Sequence, residues 1–505
     1  MGGGLMQLVA YGAQDIYLTG NPQITFFKVV YRRHTNFSME AIQQTLAGSS
    51  GANSTQDCTI SRNGDLVYKV WIEDSNNSCT DGEIYNYIKR VDCEIGGQLI
   101  DRQTADWNAV WWNLTTPESD VNGLRNTFVG FSGADVSNTF YYPLNFWFCR
   151  NVGLALPLIA LQYHEVSLKI TYGTSAVTNS PKVWIDYIYL DTDERRRFAQ
   201  VSHEYLIEQV QRDTFDGSKT TFDLNLNHPV KELIFVNDIH GSEEDRTSFA
   251  PFRTDSDVRR KTAATPYADS DNTSMRLVLN GHDRFAKRQM KYFKTCQPLQ
   301  HHTRCPSVGK RYTITSHTSV MATTGTPLHY VSKPSRLIAA YAVITVHDSG
   351  KTLTLMTSDG GSNATIFTDA NAQDISDTFA DGSASGTNAA FGLTANENLL
   401  CIPAGKIIGV KSDTGTTVQA LITLEFEELP LLIGGAPDYD LGNIYCYSFA
   451  LKPEEHQPSG TCNFSRIDNA QLIFDDAPGS NLKVFAVNYN VLRIMSGMGG
   501  LAYSN

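Results

Sequence analysis

The sequence predicts an all-β protein with more than one domain. Of its 505 residues, 23 are Tyr, 24 are Phe and 38 are Gly. Together with many Thr, Ser and Asn residues, this composition favours strands and turns over helices. Hydrophobic residues make up 41% of the chain and charged residues only 19%, which is typical of a folded globular protein. One hydrophobic core rarely supports a chain of this length, so we expect two or three domains.

Strand-like runs recur along the first part of the chain. They are Gln23–Tyr31, Asp65–Glu73, Arg90–Ile95, Tyr141–Phe148, Val166–Tyr172 and Val183–Leu190. Asn63-Gly64 and Gly96-Gly97 lie beside such runs and supply the positive φ angles that hairpin turns need. Helical periodicity is scarce, and its best example, Asp193–Gln209, is interpreted as a short connector between two halves.

A weak internal repeat relates the two halves of the chain. Three pairs of segments match, at offsets of about 184, 301 and 304 residues: Glu94–Arg102 with Val278–Arg284, Lys182–Tyr187 with Lys483–Tyr489, and Leu161–Leu168 with Arg466–Leu472. The offset therefore grows by about 120 residues between positions 288 and 445, which indicates an inserted domain.

The predicted insertion, roughly Pro306 to Pro437, carries strand signals of its own. They are Arg336–His347, Lys351–Thr357, Asn398–Pro403, Lys406–Lys411 and Thr417–Phe426. A segment of this size can bury an independent core. We expect a small β-sandwich whose two ends attach close together.

Five blocks of sequence have a long, ordered and irregular composition that makes chance agreement implausible. They are LVAYGAQDIYLTGNPQITFFKVVYRRHTNF from residue 8, GLALPLIALQYHEV from 153, VWIDYIYLDTDERRRFAQ from 183, PSGTCNFSRIDNA from 458 and NYNVLRIMSGMGGLAY from 488. Together they closely resemble the double jelly-roll major capsid proteins of large icosahedral DNA viruses, the nucleocytoplasmic large DNA viruses, especially those that infect green algae. The resemblance covers roughly residues 1–300 and 440–505, and we see none between about 306 and 435.

The resemblance implies two tandem eight-stranded jelly-roll β-sandwiches, with an additional small β domain inserted in the second. The implied divisions are an N-terminal segment on the inner face of the shell, a first jelly roll, a second jelly roll in two pieces, and an inserted knob domain: 1–22, 23–200, 201–305 with 438–505, and 306–437.

For function, the resemblance implies a structural capsid protein of the virion that is assembled in the host cytoplasm. Its chains would form a homotrimer, a pseudo-hexagonal capsomer that contacts neighbouring capsomers and minor capsid proteins. The relatives are glycoproteins. We expect the inserted domain to project outward and to contact the host surface, carry glycans or mark a special capsomer.

Other functions stay open at this point. Because the insertion lies outside the matched pattern, a specialised minor capsomer is weighed equally with the bulk capsid protein, and a host-attachment spike on a jelly-roll base is a further alternative. A secreted carbohydrate-active β-sandwich is disfavoured, because it predicts a signal peptide and an even number of cysteines. We expect no enzymatic activity and no cofactor.

Charge and cysteine content narrow the class of partners. The formal net charge of −12 argues against broad contact with nucleic acid. Nine cysteines without CxxC spacing suit reduced thiols better than a disulfide framework. The longest apolar stretch, Gly153–Leu161, contains Pro157 and is too short to span a membrane.

Two groups of residues have the composition of metal ligands. Cys296, His301, His302 and Cys305 are zinc-binding residue types but lack the two-residue spacing of paired thiolates, so a hinge is the preferred interpretation. A loop rich in oxygen ligands, with solvated turns as the preferred interpretation over calcium, contains Asp359, Asp369, Asn371, Asp374, Asp377 and Asp381. No catalytic, cofactor-binding or metal-binding residue is therefore assigned.

Three short charged motifs have structural interpretations. His164-Glu165 and His203-Glu204 resemble acid–base pairs, but neither extends to His-Glu-x-x-His, and we expect core or interface positions. The run Arg195–Arg197 follows Asp191, Asp193 and Glu194, which favours a salt-bridged connector over a nucleic-acid patch.

Glycosylation triplets and aromatic clusters complete the candidates. Seven N-x-S/T triplets occur, of which the two inside the resembling blocks, Asn36 and Asn463, look like core positions; the others are Asn53, Asn76, Asn113, Asn272 and Asn363. Aromatic residues that suit either a core or a subunit interface are Phe26, Phe27, Tyr31, Trp107, Trp111, Trp112, Phe146, Trp147 and Phe148, with core packing preferred.

Overall fold

A computed structural model describes most of the two predicted halves and the strands between them. The described residues are 21, 34–75, 87–121, 123–124, 127, 139–173, 181–238, 249–250, 273–306, 310–320, 326–333, 335–346, 352–358, 373–374, 379–380, 388–390, 401–402, 406–412, 418–428, 444–478 and 481–503. The N-terminal segment 1–22 apart from Asn21, and the predicted strand Gln23–Tyr31, lie outside them.

The first sandwich consists of two antiparallel sheets. Its strands are β1 (Phe37–Gln44), β2 (Leu46–Gly48), β3 (Thr55–Thr59), β4 (Leu66–Ser75), β5 (Ile88–Ile95), β6 (Gln98–Thr104), β7 (Thr139–Pro143), β8 (Leu156–Pro157), β9 (Val166–Tyr172) and β10 (Lys182–Leu190). One sheet has the order β1-β10-β4-β7, with β8 paired to β4, and the other has the order β2-β3-β9-β5-β6. Helices α1 (Ala105–Thr115) and α2 (Trp147–Arg150) lie in the connections, and α3 (Thr192–Gln200) leads to the second sandwich.

The second sandwich begins with seven strands. They are β11 (His203–Phe215), β12 (Thr221–Asp223), β13 (Pro229–Asp238), β14 (Phe249–Ala250), β15 (Ser274–Leu279), β16 (His282–Asp283) and β17 (Arg288–Gln289). A π-helical turn (Tyr292–Cys296) and a short helix, α4 (Gln297–His301), follow.

Ten strands then form two further five-stranded sheets. They are β18 (Arg311–Val320), β19 (Thr326–Tyr330), β20 (Ser335–Val346), β21 (Thr352–Ser358), β22 (Gln373–Asp374), β23 (Phe379–Ala380), β24 (Asn388–Ala390), β25 (Cys401–Ile402), β26 (Ile407–Ser412) and β27 (Val418–Glu428). The sheet orders are β18-β27-β20-β24, with β25 on β20, and β19-β26-β21-β22, with β23 on β21. The buried apolar side chains of these strands form a cluster of their own, between Val331 and Phe426.

The last five strands return to the second sandwich. They are β28 (Tyr445–Ser448), β29 (Cys462–Asn463), β30 (Ala470–Phe474), β31 (Asn481–Met495) and β32 (Met498–Leu501). One sheet has the order β11-β31-β13-β14, with β28 and β29 on β13 and β32 on β31. The other has the order β12-β30-β15-β16, with β17 on β15.

The two sandwiches repeat one strand order, which confirms the internal repeat. In one sheet of the first sandwich β10 lies between β1 and β4, just as β31 lies between β11 and β13 in one sheet of the second. In the other sheet of each sandwich β9 lies between β3 and β5, as β30 lies between β12 and β15. The hairpin turns also correspond. The repeat offset of about 184 residues relates Gly96-Gly97 to Asn280-Gly281, and all four residues have positive φ.

Three local predictions were wrong. Asn63-Gly64 has no positive φ; a Cβ atom on Gly64 would lie 2.7 Å from the Cβ of Tyr187, so close packing explains this glycine. The predicted strand Tyr141–Phe148 ends at Pro143. The predicted helix Asp193–Gln209 ends at Gln200, because the following residues pair with β31 along the 13 residues of β11.

Helix α1 had no sequence signal. Ten of its 11 residues are buried, so it lacks the polar face on which helical periodicity depends. Its N-terminus is capped by the Thr104 hydroxyl, which accepts a hydrogen bond from the Trp107 backbone N–H.

Candidate functional site: the junction between the sandwiches and its exposed counterpart

The hydrophobic core of the first sandwich continues onto the outer face of the second. Along β31, Val484 and Ala486 pack inside the second sandwich, whereas Phe485 and Val487 belong to the cluster that fills the first. The ring of Phe485 lies 5.7 Å from that of Trp107 on α1. The sheet that contains β31 is therefore buried on both faces, and its central strand is an almost continuous run of buried residues. We call this contact the junction.

A buried ion pair crosses the junction. Lys483 Nζ lies 2.9 Å from Asp106 Oδ2, and the two side chains are only 2% and 1% exposed. Arg212 Nη1 lies 4.0 Å from the same carboxylate oxygen. Because a buried charge is costly unless it is paired, this contact favours one arrangement of the two sandwiches over any shifted one.

A second charged cluster lies at another part of the junction, where Glu208 pairs with Tyr489 across β11 and β31. Glu208 Oε2 accepts a hydrogen bond from Arg150 Nη1 at 2.8 Å, and Glu208 Oε1 accepts one from Lys231 Nζ at 2.7 Å. Burial disfavours ionisation of Glu208, but Lys231, His456 and Arg150 outweigh it and lower the pKa of the carboxyl to about 2. With Trp147, the residues Arg150, Glu208 and His456 line a cavity of about 230 Å³ between the sandwiches. Because Glu208 is already paired with its neighbouring cations, the cluster is interpreted as structural.

The C-terminal hairpin closes the junction from the other side. The Tyr163 backbone N–H donates to the Gly497 carbonyl at 2.9 Å, and the Gly499 N–H donates to His164 Nδ1 at 3.2 Å. A Cβ atom on Gly499 would lie only 2.6 Å from Leu161 Cδ2. The hairpin is therefore seated against the first sandwich at a distance that only glycine allows.

The face of the second sandwich that the first sandwich covers has an equivalent in the first sandwich, and this equivalent face is exposed. Arg212, Phe485 and Ile234 form one row across β11, β31 and β13, which we call the covered row. The repeat places Gln43, Trp184 and Trp71 at the equivalent positions of β1, β10 and β4, and we call these the exposed row. Phe485 and Ile234 are completely buried, whereas Trp184 and Trp71 are only partly buried.

Neighbouring side chains extend this exposed face. Phe37, Met39 and Tyr141 are 52%, 46% and 41% exposed, although each is a large apolar or aromatic side chain. Phe37 and Met39 lie on β1 and Tyr141 lies on β7, at the two edges of the same sheet. The face also carries the ion pair of Lys182 with Glu73, and exposed large apolar side chains set among polar ones are typical of a protein-interaction surface.

The Cys/His group does not converge on a common point. Cys296 is exposed, and Cys305 Sγ faces the carbonyls of Lys294 and Thr295. His301 Nδ1 contacts the Leu451 carbonyl, while His302 lies between two carboxylates. Within the described part of the chain, no three His, Cys, Asp or Glu side chains are arranged to hold a metal ion. The free thiols include those of Cys58, Cys93, Cys149, Cys296, Cys305, Cys446 and Cys462. Of the candidate calcium loop only Asp374 is described, so that prediction lies outside the structure.

The charged motifs make structural contacts, but Glu165 and Glu204 are exposed and are not core residues. His164 belongs to the junction, and His203 Nε2 contacts the Phe198 carbonyl at 2.8 Å. Glu204 pairs with Arg493 at 2.8 Å. Arg195 Nε contacts Asp65 Oδ1 at 2.9 Å and so ties α3 to the first sandwich.

The glycosylation triplets and the aromatic residues gave mixed outcomes. Asn36 and Asn463 are exposed, so the prediction of core positions was wrong for both. Asn53 is also exposed, whereas Asn113 is 1% exposed in α1. Buried core positions, the preferred interpretation, are found for Trp107, Trp111, Trp112, Phe146, Trp147 and Phe148. Phe26, Phe27, Tyr31, Asn76, Asn272 and Asn363 lie outside the described residues.

No helix in the described ranges is both long and apolar enough to cross a lipid bilayer.

Comparison with known proteins identifies related sequences along the whole chain. A family profile described as "Major capsid protein N-terminus" matches residues 25–191. A second, described as "Large eukaryotic DNA virus major capsid protein", matches residues 194–330 and 432–500. The major capsid protein of Pyramimonas orientalis virus is 41% identical, and that of Paramecium bursaria Chlorella virus 1 is 34% identical. Each alignment covers 100% of both chains.

Solved structures with the same architecture support these matches. A crystal structure of PBCV-1 VP54 fitted into a reconstruction of the virophage Sputnik has a TM-score of 0.58 at 29% identity. A quasi-atomic model of the PBCV-1 virus capsid has a TM-score of 0.56 at 28% identity. Each match covers 95% of this chain and 100% of the other. The all-β double jelly-roll architecture is thereby confirmed.

One expectation about the insertion needs correction. The family profile passes over residues 331–431, but the full-length relatives align along 100% of this chain. The resemblance therefore extends to residue 330, past the limit near residue 306 that the sequence predicted.

Proposed function

Because the chain belongs to the major capsid proteins of large eukaryotic DNA viruses and is a structural protein of the virion capsid, we propose that it acts as a homotrimer. In this proposal three copies form a pseudo-hexagonal capsomer, which contacts neighbouring capsomers and minor capsid proteins. The observation that carries the proposal is the pair of equivalent rows, one covered within the chain and the other left exposed.

The covered row shows which kind of surface fits this face. Phe485 is covered by α1, the helix that follows the β5–β6 hairpin of the first sandwich. The equivalent segment of the second sandwich is the π-helical turn and α4, which follow β15–β17. Leu299 on α4 is 75% exposed. We therefore assign this segment of a second copy as the cover of the exposed row, around Trp184.

A head-to-tail contact of this kind closes into a ring only if the rotation per step allows it. Within one chain the step leads from the first sandwich to the second. If the contact between chains repeats that step, six sandwiches from three chains complete a closed ring. The proposal thus explains why one face is sealed inside each chain and its equivalent is not.

The test is the solution mass of the purified chain, measured by light scattering. We expect a mass near three chains, and a reduced trimer fraction for Trp184→Asp and for Leu299→Asp with an unchanged circular dichroism spectrum. Tyr330→Asp is the matched control, because Tyr330 is 58% exposed but lies on β19, away from both surfaces. A stable wild-type monomer, or a trimer that tolerates both substitutions, would contradict the proposal.

We also propose the domain division 1–22, 23–200, 201–305 with 438–505, and 306–437, in which the last segment is an outward knob. The two five-stranded sheets between β18 and β27, with their separate apolar cluster, support an independent unit there. Contact with the host surface or with glycans is the function proposed for it. Imaging of assembled particles tests the position, and density directed sideways into the next capsomer would contradict it.

Finer points follow from the family. The names of the full-length relatives favour a bulk capsid protein over a specialised capsomer or spike. We propose a purely structural role, without enzymatic activity. We also propose that the N-terminal segment lies on the inner face of the shell. Glycosylation is proposed as well, without assignment to an asparagine. Intact-mass measurement of protein from virions tests glycosylation, and hydrolysis of polysaccharide by the purified trimer would overturn the structural-only role.

A further inference from the structure

We propose that His302 is a proton-controlled clamp that holds together two chain segments on either side of residues 306–437, the incoming segment 297–305 and the outgoing segment 444–454. The link to residues 306–437 rests on the proposed division of the chain. The contacts that define the clamp lie entirely within described residues. These contacts involve three elements that are distant in sequence.

The clamp is a histidine with a carboxylate at each ring nitrogen. His302 Nε2 lies 3.1 Å from Glu232 Oε2, and both side chains are completely buried. On the other side, His302 Nδ1 lies 3.0 Å from Glu454 Oε1. A neutral imidazole carries a proton on only one nitrogen, whereas an imidazolium carries one on each. The Nδ1 contact is a hydrogen bond, whereas Nε2 and both carboxylate oxygens of Glu232 have no hydrogen-bond partner among the described residues. The Glu232 contact is therefore electrostatic, and it favours the charged ring.

The three residues lie on the incoming segment, on the outgoing segment and on the second sandwich. His302 follows α4 on the incoming segment, Glu454 follows β28 on the outgoing segment, and Glu232 lies on β13 of the second sandwich. The Thr303 backbone N–H also donates to Glu454 Oε1 at 2.8 Å. The incoming and outgoing segments thus meet at Glu454. The outgoing segment is already held on β13 through β28, and His302 ties the incoming segment to the same strand.

Further hydrogen bonds connect the same two segments without titrating. The Ser448 N–H donates to Gln297 Oε1 at 3.0 Å, and His301 Nδ1 lies 3.1 Å from the Leu451 carbonyl. On the incoming side, Arg304 Nε binds Glu118 of the first sandwich at 2.8 Å. Loss of the charged clamp would therefore loosen this region while leaving it connected.

The charges around His302 determine the direction of the pH response. The ionisable groups that face it are Glu232 on β13, Glu454 on the outgoing segment and Cys446 on β28, with Cys305 close to Cys446. Burial disfavours the imidazolium, but Glu232 and Cys446 outweigh it and raise the pKa of His302 well above its usual value. A raised histidine pKa stabilises the fold below the unfolded-state pKa, and that contribution is lost as the pH rises through the folded-state pKa. The clamp is closed at neutral pH and opens under alkaline conditions.

Limited proteolysis of the full-length protein between pH 6 and pH 10 tests the clamp. A protease active across this range is used, and cleavage within residues 297–305 and 444–454 is followed by mass spectrometry. Rates are normalised to an unfolded reference peptide. We expect slow cleavage near pH 6, about a tenfold rise for each pH unit between the unfolded-state pKa and the raised folded-state pKa of His302, and no further rise above the folded-state pKa. His302→Gln should be cleaved rapidly already at pH 7, with no further rise.

Two variants separate the clamp from general structural damage. Glu232→Gln removes one carboxylate and so lowers the folded-state pKa of His302. The rise should therefore end at a lower pH, a shift that a merely structural role would not produce. This variant also keeps the test decisive if His302→Gln does not fold. His301→Gln is the matched control, because the adjacent ring contacts a carbonyl, and it should keep the wild-type profile.

A wild-type pH profile in His302→Gln, or an unshifted rise in Glu232→Gln, would overturn the clamp. Either result would leave the proposed trimer and the outward position of residues 306–437 untouched, because those are measured by mass and by imaging. Conversely, a monomeric protein with the predicted pH profile would overturn the trimer and retain the clamp.

Discussion

Trp184 and Phe485 occupy the same place in two copies of one sheet, yet only one of them is covered. Both lie on the central strand of a β-sheet with the same strand order, and both point away from the interior of their own sandwich. Phe485 is buried against α1, whereas Trp184 retains contact with solvent and donates a hydrogen bond from its indole to Glu73. The difference shows that a repeated fold does not give repeated burial.

The adjacent lysines show the same difference in electrostatics. Lys483 forms an ion pair with Asp106 that is almost inaccessible to water. Its equivalent, Lys182, pairs with Glu73 at 3.1 Å, with the lysine 44% exposed. At equivalent positions, the ion pair in the junction is therefore desolvated and the one on the exposed face is solvated. A desolvated pair is the more sensitive to the loss of either partner. Substitutions at equivalent positions can therefore measure what the junction contributes.

The largest effect is expected for truncation of the two aromatic residues. Phe485→Ala should lower the free energy of unfolding by about 4 kcal/mol, because it leaves a cavity in the hydrophobic core at the junction. Trp184→Ala should cost the isolated chain about 1 kcal/mol and act mainly on trimer formation. Thermal unfolding and light scattering of both variants provide the measurement. Equal losses of chain stability would show that the two faces are not differently covered.

Removal of the lysine charge sharpens the comparison. Lys483→Met should destabilise the protein by about 3 kcal/mol, because the buried Asp106 carboxylate loses its closest cation. The equivalent Lys182→Met should change stability by less than about 1 kcal/mol, as is usual for exposed pairs. Denaturant unfolding of the two variants decides the point, and a small effect at Lys483 would mean that Arg212 compensates.

Acid should weaken the junction through Glu208. Its pKa is lowered to about 2, so its contribution is present above the unfolded-state value of about 4.5 and is lost as the pH falls toward 2. The loss amounts to about 3 kcal/mol and is absent in Glu208→Gln. The slope of stability against pH between 5 and 2 is the measurement. An identical slope in the variant would assign the acid response to other carboxyl groups.

The smallest effect concerns the seat of the C-terminal hairpin. Gly499→Ala should cost about 2 kcal/mol, because the new methyl group meets Leu161 Cδ2 at 2.6 Å and Ile95 Cγ2 at 3.2 Å. Gly500→Ala is the matched control, since its nearest contact is the flexible end of Gln98 at 3.2 Å. Hydrogen exchange of β32 should increase only in the first variant. Unchanged exchange there would show that the first sandwich yields at this contact.

Much of the fold could be predicted from local patterns. The strands Val166–Tyr172 and Lys182–Leu190 were found because their side chains alternate or form short apolar runs. The repeat was visible because equivalent strands kept similar residues at constant offsets. Helix α1 and the short helix α2 were missed because their side chains are mostly buried, and such a segment gives no amphipathic signal.

The candidate site was less accessible to sequence analysis. His302 was singled out as a zinc-binding residue type close to two cysteines, but its partners Glu232 and Glu454 lie far from it in the chain, one before it and one after it. Nothing near those positions marks a carboxylate that will be buried. Lys483 and Asp106 are likewise distant in sequence and meet only in the folded chain.

The sequence by itself therefore determined the fold class, the family, the repeat and the place where extra strands interrupt it, because periodicity and local motifs are properties of neighbouring residues. Only the tertiary structure decided which copy of a repeated face is covered, which lysine loses its water and which histidine lies between two carboxylates. Burial and pairing depend on segments brought together from distant parts of the chain, and a desolvated contact has no signature in either segment alone.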